Sequence, residues 1–249
     1  MLKEPEKLSP DEVESIEKQS LRSLFLAAKD FGFDAFDIFE QSSDDQKDIA
    51  EDITREMLER LGGYRVEKRI LGNVDYRKAR YVVLTEYATR QALFVDSKAE
   101  KSASSATLQM SQLSLGVYQV RGGVDIAEKG AIQPISDHGG LAFISTTLLA
   151  HYYYEQSSSG KPNRLIQLTL AAIPNGRLQN RYNPSCEDSI WIAGRNAPSR
   201  GEDFRVRLSF NRLSIKAGWR VQRLRYDPVK RSVAGEWNEE VVADALRAE

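Results

Sequence analysis

Asp96, Ser97 and Lys98 follow directly on the apolar run Ala92-Leu93-Phe94-Val95, and Asp75 stands 21 residues ahead of Asp96. Alternate residues of a strand share a face, so Asp96 and Lys98 project together from the end of that strand. The interval back to Asp75 is long enough for a strand and a turn that return to the same end of a sheet. Two carboxylates and an ammonium then converge, a set of groups suited to phosphodiester hydrolysis. That reaction calls for a hard divalent cation, and Mg²⁺ takes oxygen ligands while keeping several waters. Asp75 and Asp96 supply carboxylates, and the Ser97 backbone carbonyl a third oxygen. The cation stabilises charge developing on the phosphate and makes a bound water more acidic. Lys98 orients or activates that water and stabilises the transition state. The helix ahead of the strands offers Glu51 or Asp52 to complete the set. Neither lies on its apolar stripe, and Glu51 is the candidate retained.

Only two Asp/Glu-x-Lys triplets occur in the chain, Asp45-Gln46-Lys47 and Asp96-Ser97-Lys98. Asp45 falls at a polar helix start, where the helix dipole accounts for an acidic residue. The second triplet matches the Asp…(Asp/Glu)-x-Lys arrangement of many metal-dependent nucleases, although Val74 stands where a proline often precedes the first aspartate. A strand ending in Asp-x-Lys also arises as a structural ion pair, so the triplet alone leaves both readings open. Other chemistries have less support. There is no Gly-x-Ser-x-Gly elbow and no Gly-x-x-x-x-Gly-Lys-Ser/Thr loop. His138 and His151 are too few for a His-Asn-His nuclease. His151, within LLAHYYYEQ, reads as a satisfied strand histidine, and His138 as a loop residue. Cys186, the single cysteine, excludes disulfides within the chain and a Cys-rich zinc site.

The elements that must position these residues are readable in outline. Ser9 to Phe31 reads as a helix, with Ser-Pro-Asp opening it and Val13, Ile16, Leu21, Leu24 and Ala28 at roughly helical spacing. A second helix follows Gln41-Ser-Ser-Asp-Asp, carries Ile49, Ile53, Met57 and Leu61 as a stripe, and ends at Gly62-Gly63. Strands are expected at Tyr64–Leu71, Ala79–Leu84 and Ala92–Val95, then a third helix at Ser104–Leu115. Two long β runs, Ser145–Gln156 and Arg164–Ile173, are joined by the exposed connection SSSGKPN. Arg181–Gly201 reads as irregular, and Phe204–Phe210 and Trp219–Tyr226 as further strands. The expectation is one mixed α/β domain over residues 1–249: a helical part at 9–63, a catalytic core at 64–115 and a β-rich part at 141–232.

The net charge of −1 over 249 residues argues at face value against a polyanionic partner. It is not evenly spread. Residues 1–60 carry a balance of −9 and the remainder +8, and 12 of the 15 cations between Lys161 and Ser232 are arginines. Arginine's planar fork suits phosphate and guanine edges, which makes this segment a candidate DNA face. The acidic helices are expected to face solvent or another subunit. No apolar run approaches the roughly 18 residues of a membrane helix, and the start MLKEPEKLSP lacks a leader's pattern, so a cytoplasmic protein without membrane contact is expected.

Seven blocks carry a resemblance: EDITREMLE, GNVDYRKAR, LFVDSKAE, TLQMSQL, HYYYEQ, RLQNRYNP and AGRNAPSRGEDFRVRLSFNRL. In this order, from about Ser9 to Tyr226, the chain resembles the SfiI-like type II restriction endonucleases and, more remotely, BglI. The resemblance implies a restriction-endonuclease-like PD-(D/E)xK core: a mixed central β-sheet flanked by helices, with β-rich C-terminal DNA-recognition elaborations. It implies Mg²⁺ and double-strand cleavage of a GC-rich interrupted palindrome with a GCC-N5-GGC core, leaving 3′ overhangs. It further implies a homotetramer or dimer on double-stranded DNA and a cognate DNA methyltransferase as genetic partner. Catalytic positions fall on Asp75, Asp96 and Lys98, and base-reading positions on Arg195, Arg205 and Arg207. Arg200 is assigned to phosphate or to Glu202. Ala103 and Ser105 replace basic residues of the relative, so its full site is not carried over. Gln109, Ser111 and Gln112 touch DNA backbone or are plain helix surface, and residues 116–140 receive no role. Two rivals stay open: a DNA-binding protein whose Asp-x-Lys is structural, and a repair nuclease on the same core that recognises DNA structure.

Overall fold

Ser9 begins the first helix with its own side chain. Its Oγ accepts the Glu12 N–H at 3.3 Å while the Glu12 carboxylate accepts the Ser9 N–H at 2.8 Å. This reciprocal box contributes about 0.5–2 kcal/mol. The helix α1 (Pro10–Phe31) buries Val13, Ile16, Leu21, Leu24 and Ala28, the expected stripe, and stops at Gly32, whose φ of +58° suits a residue without Cβ. A short helix α2 (Asp34–Gln41), absent from the sequence reading, follows at once. The helix α3 (Gln46–Glu59) buries Ile49, Ile53 and Met57.

The structure is a computed structural model that describes residues 3–41, 46–60, 65–69, 79–84, 89–155, 163–192 and 205–240, with 65–69 and 79–84 as backbone only. The Gly62-Gly63 stop, most of the SSSGKPN connection, Asp75, Arg195 and Arg200 lie outside the described residues. Along the chain the remaining elements are β1 (Arg65–Arg69), β2 (Ala79–Leu84), β3 (Arg90–Glu100), β4 (Ser105–Leu108), β5 (Val117–Arg121), β6 (Val124–Glu128), β7 (Ile135–His138), β8 (Leu141–Glu155), β9 (Arg164–Ile173), α4 (Gln179–Tyr182), β10 (Trp191–Ile192), β11 (Val206–Ser209), α5 (Phe210–Lys216), β12 (Val221–Asp227) and β13 (Ser232–Ala234).

The main sheet has the order β1-β2-β3-β8-β9-β12-β13, with β7 hairpinned onto β8 through Gly139-Gly140, both at positive φ. Within it β3 and β8 run parallel and the other neighbours antiparallel. One face packs on the helices, with Leu93, Val95, Leu148, Ala150 and Tyr152 against Phe25, Phe36 and Ile53. Across the other face lies a second layer, the β10-β11-β4 sheet with α5, where Leu149, Ala171 and Val221 meet Leu108, Val206, Leu208 and Phe210. No helix among the described residues is long and apolar enough to cross a membrane.

Several expectations are corrected. Ser104–Leu115 is not a helix: Ala106 and Leu108 alternate inward, paired with Leu208 and Val206 of β11, and only Met110–Gln112 turns helically. The strand bearing Asp96 does not end there but continues to Glu100, held on both sides by β2 and β8 up to Val95 and by β8 thereafter. The strand expected to reach Phe210 gives way to α5, because the Ser209 Oγ caps it by accepting the Arg212 N–H at 3.2 Å. The acidic face of α1 is not all solvent or subunit surface. Glu17 is fully buried against Arg220 at 2.7 Å, and Glu14 pairs with Arg181 at 2.8 Å. Asp37 of α2 similarly meets Arg231 at 2.6 Å. Part of the acidic N-terminal charge is therefore met by Arg181, Arg220 and Arg231 of the same chain.

Candidate active site

The alternation of β3 sorts its residues. Leu93, Val95 and Ser97 face the helices, while Phe94, Asp96, Lys98 and Glu100 face the opposite side. Lys98 Nζ lies 3.0 Å from Asp96 Oδ2. Asp96 is buried, and its two oxygens are treated differently. Gln112, from the turn after β4, donates Nε2–H to Oδ1, and its own Oε1 accepts the Gln109 N–H at 2.7 Å, which fixes the amide's orientation. Oδ2 receives no hydrogen bond from any described residue; the Lys98 ammonium beside it donates instead to Oδ1, at 3.4 Å. A buried carboxylate oxygen in that state is costly unless something charged meets it.

Behind the strand, Ser97 ties β3 to α3. Its Oγ donates to Thr54 Oγ1 at 2.8 Å, Thr54 donates to the Ala50 carbonyl at 2.8 Å, and the Tyr152 hydroxyl closes the group at 2.8 Å from Thr54 Oγ1. One turn before Thr54 on α3 is Glu51. Burial raises its carboxyl above the ordinary value; Lys47, 3.9 Å away, opposes this, Asp96 adds to it and Lys98 acts against it. Glu51 thus stands in the electrostatic field of the Asp96–Lys98 pair. Asp52 points away, largely exposed and paired with Arg55 at 2.7 Å.

Beside Lys98 opens a cleft of about 280 Å³ whose walls include Lys47, Glu100, Thr107, Gln109 and Arg205. Arg205 just precedes β11 and Arg207 lies on it opposite Thr107, while Val206 and Leu208, alternating with them, are buried in the core. The two arginines therefore share a face, as their spacing implied. Each has a buried Nε without a hydrogen-bond partner among the described residues. Glu100 sits 3.6 Å from Nε2 of His151, a fully buried ring packed edge-on to Phe210. Burial works to raise the Glu100 carboxyl, but His151 and the Thr107 N–H, which donates at 3.1 Å, together hold it below its ordinary range. His151 is a strand residue as expected; neither ring nitrogen is within hydrogen-bonding geometry of a described residue, and its polar neighbour is the Glu100 carboxylate at 3.6 Å.

The sequence matches the family model of the type II restriction enzyme SfiI over residues 23–224. The chain belongs to the SfiI family of type II restriction enzymes. SfiI of Streptomyces fimbriatus is 33% identical over 245 residues, covering 93% of this chain and 91% of that enzyme. The crystal structure of tetrameric SfiI bound to cognate DNA superposes with a TM-score of 0.84 at 31% identity, covering 98% of this chain and 95% of that one. BglI bound to its DNA recognition sequence shares the fold, with a TM-score of 0.68 at 15% identity over 86% of this chain and 90% of that one. The chain is accordingly a restriction endonuclease, and its mixed sheet with flanking helices is the fold of these enzymes.

Enzymes of this type generally use a divalent metal, and the residues present suit one. Oδ2 of Asp96 accepts no hydrogen bond from a described residue and has only the Lys98 ammonium beside it, which leaves it an oxygen available to a cation, and Glu51 and the Ser97 carbonyl add only oxygen, as a hard cation prefers. Among the described residues no three Asp, Glu, His or Cys side chains gather as a metal group. Gln112, expected to touch DNA backbone or to be plain helix surface, instead holds the Asp96 carboxylate, and Thr54, which holds the strand, carries no signal in the sequence. Extending the strand period past Lys98 would have placed Glu100 on the same face as Asp96.

Proposed function

We propose that this enzyme is a Mg²⁺-dependent endonuclease cutting both strands of a GC-rich, interrupted palindrome with a GCC-N5-GGC core and leaving 3′ overhangs. The observation that carries the proposal is Asp96 with one buried oxygen unbonded, 3.0 Å from Lys98, beside a cleft walled by further cations. Asp75, Asp96 and the Ser97 carbonyl are the assigned metal-holding groups, with Glu51 as the helix-borne addition. Mg²⁺ held there would neutralise charge on the scissile phosphate and acidify a water. Lys98 orients that water for attack on phosphorus and stabilises charge on the phosphoryl oxygens; as the new P–O bond forms the water gives up a proton to solvent, the bond to the leaving oxygen breaks, and that oxygen takes up a proton. Gln112 keeps the Asp96 carboxylate from turning wholly toward Lys98.

Arg195, Arg205 and Arg207 are assigned to guanine edges, each fork gripping O6 and N7 for about 1–3 kcal/mol of discrimination. Arg200 is assigned to a phosphate. A palindrome cut on both strands calls for a two-fold pair of subunits, one active site per strand. We extend this to a homotetramer by the likeness to tetrameric SfiI, with a dimer as the alternative. A companion DNA methyltransferase would protect the host's own sites. Digestion of plasmid and genomic DNA with Mg²⁺, followed by sequencing of the fragment ends, tests the reading. Discrete fragments with a common end sequence are expected; binding without cutting in Mg²⁺ or Mn²⁺ would instead favour a DNA-binding protein with a structural Asp96–Lys98 pair.

A further inference from the structure

The arginines of the C-terminal segment divide by what they touch. Arg177 donates to the carbonyls of Pro5 and Leu8, and Arg212 to those of Ser189 and Trp191. Arg181, Arg220 and Arg231 are held by carboxylates of α1 and α2. Arg223 and Arg225 have no hydrogen-bonded or ion-paired acceptor among the described residues. They stand two apart on β12, with Leu224 and Tyr226 turned the other way into the helical core.

Strand register places them with respect to the active site. Lys98 of β3 pairs with His151, His151 with Thr169, and Thr169 with Arg223, so one row crosses β3, β8, β9 and β12. Glu100, Tyr153, Gln167 and Arg225 form the next row toward the same end of the sheet. Both arginines thus lie on the Lys98 side of the sheet, three strand spacings or about 14 Å away. Together with Asn238 and Gly235 they line a separate cleft of about 310 Å³, and the carboxylate at its rim, Glu236, is drawn off by Lys29 at 2.8 Å. Arg223 is half-buried, and burial together with the Arg225 charge holds its guanidinium below the ordinary value. Two like charges on one face with no counter-charge are unfavourable until an anion supplies it.

We propose that Arg223 and Arg225 form a second phosphate-binding site that grips the DNA backbone away from the phosphate being cut. The proposal rests on the DNA-cleaving reading above. The grip is independent of sequence: planar forks on phosphate oxygens set register and orientation and read no base.

The test is DNA binding by wild-type enzyme, Arg223→Ala, Arg225→Ala and Arg225→Lys in Ca²⁺, by fluorescence anisotropy across a salt series. Each alanine variant should flatten the slope of log affinity against log salt by about 0.9 and weaken specific and non-specific duplexes alike, with the lysine variant closer to wild type. Duplexes with a single neutral methylphosphonate linkage, walked outward from the cut, should show one position where wild type loses affinity and the alanine variants lose nothing more. Additive losses at every position, or an unchanged salt slope, would overturn the proposal. So would a change in sedimentation without a change in slope, which would give the cleft to a second copy of the chain. Should Arg223→Ala fail to fold, the exposed Arg225 carries the test alone. Wild-type enzyme that bound no DNA would overturn the parent reading, whereas normal wild-type binding with unaltered variants overturns this site only.

Discussion

Replacing Gln112 by leucine keeps most of the side-chain volume and removes the amide that donates to Asp96 Oδ1. Hydrogen bonds to a charged group contribute about 1.5–3 kcal/mol, more than neutral ones. Because Oδ2 already lacks a hydrogen bond, the variant leaves a buried carboxylate whose remaining close partner among the described residues is Lys98. The carboxylate is then free to turn onto the ammonium, away from the position a cation needs. At about 1.4 kcal/mol per factor of ten, the loss corresponds to roughly ten- to 150-fold in the metal-dependent rate. Single-turnover cleavage of plasmid across a Mg²⁺ series should show it as a higher metal concentration for half-maximal rate. Gln112→Glu, which sets a second carboxylate against the first, should be worse than leucine. A Gln112→Leu enzyme within twofold of the parent at every Mg²⁺ concentration would refute this role for the amide.

Other perturbations follow from the same geometry. Thr54→Val removes the hydroxyl shared by Ser97 and Tyr152 and should destabilise by about 2–4 kcal/mol in urea unfolding, part of which the double variant Thr54→Val/Ser97→Ala recovers. Arg220→Met strands the buried Glu17 carboxylate and should cost about 3–5 kcal/mol, whereas Glu17→Leu/Arg220→Met should lie much closer to wild type; equal stability of the two would contradict a buried charge pair. Arg205→Ala and Arg207→Ala should each relax base preference at one position of the site by about 1–3 kcal/mol, read by sequencing the ends of a digested random library. Equal cutting of all sequences in the library by wild type and variant alike would remove both from base reading.

Local rules carried the first helix, the β2 and β9 boundaries and the face of Asp96 and Lys98. Ser9, Pro10 and Glu12 cap α1 from neighbouring positions, so its start needs nothing distant. The third helix failed for the opposite reason. Residues 104–115 take their conformation from β11, a hundred residues on, and only that pairing turns Ala106 and Leu108 inward with period two. The same misplacement turned the Gln112 amide toward DNA backbone or solvent, whereas it donates to Asp96. β3 was cut short where its apolar residues gave way to Asp96, Lys98 and Glu100, polar side chains kept in a strand by β8 alongside. The charge balance was legible as a segregation but not as a pairing: Glu17 finds Arg220 and Asp37 finds Arg231 only once the chain folds. Among the described residues Arg205 and Arg207 beside the cleft and Arg223 and Arg225 beyond it are left without a carboxylate partner by this pairing, and they are the arginines proposed above to meet DNA.

The most direct test is cleavage of supercoiled plasmid in Mg²⁺ by the parent enzyme, Asp96→Ala and Lys98→Ala, with DNA binding in Ca²⁺ measured on the same preparations. The account predicts discrete linear products from the parent and a loss of cutting by several orders of magnitude in both variants, with DNA binding retained. Either variant cutting as fast as the parent would contradict it.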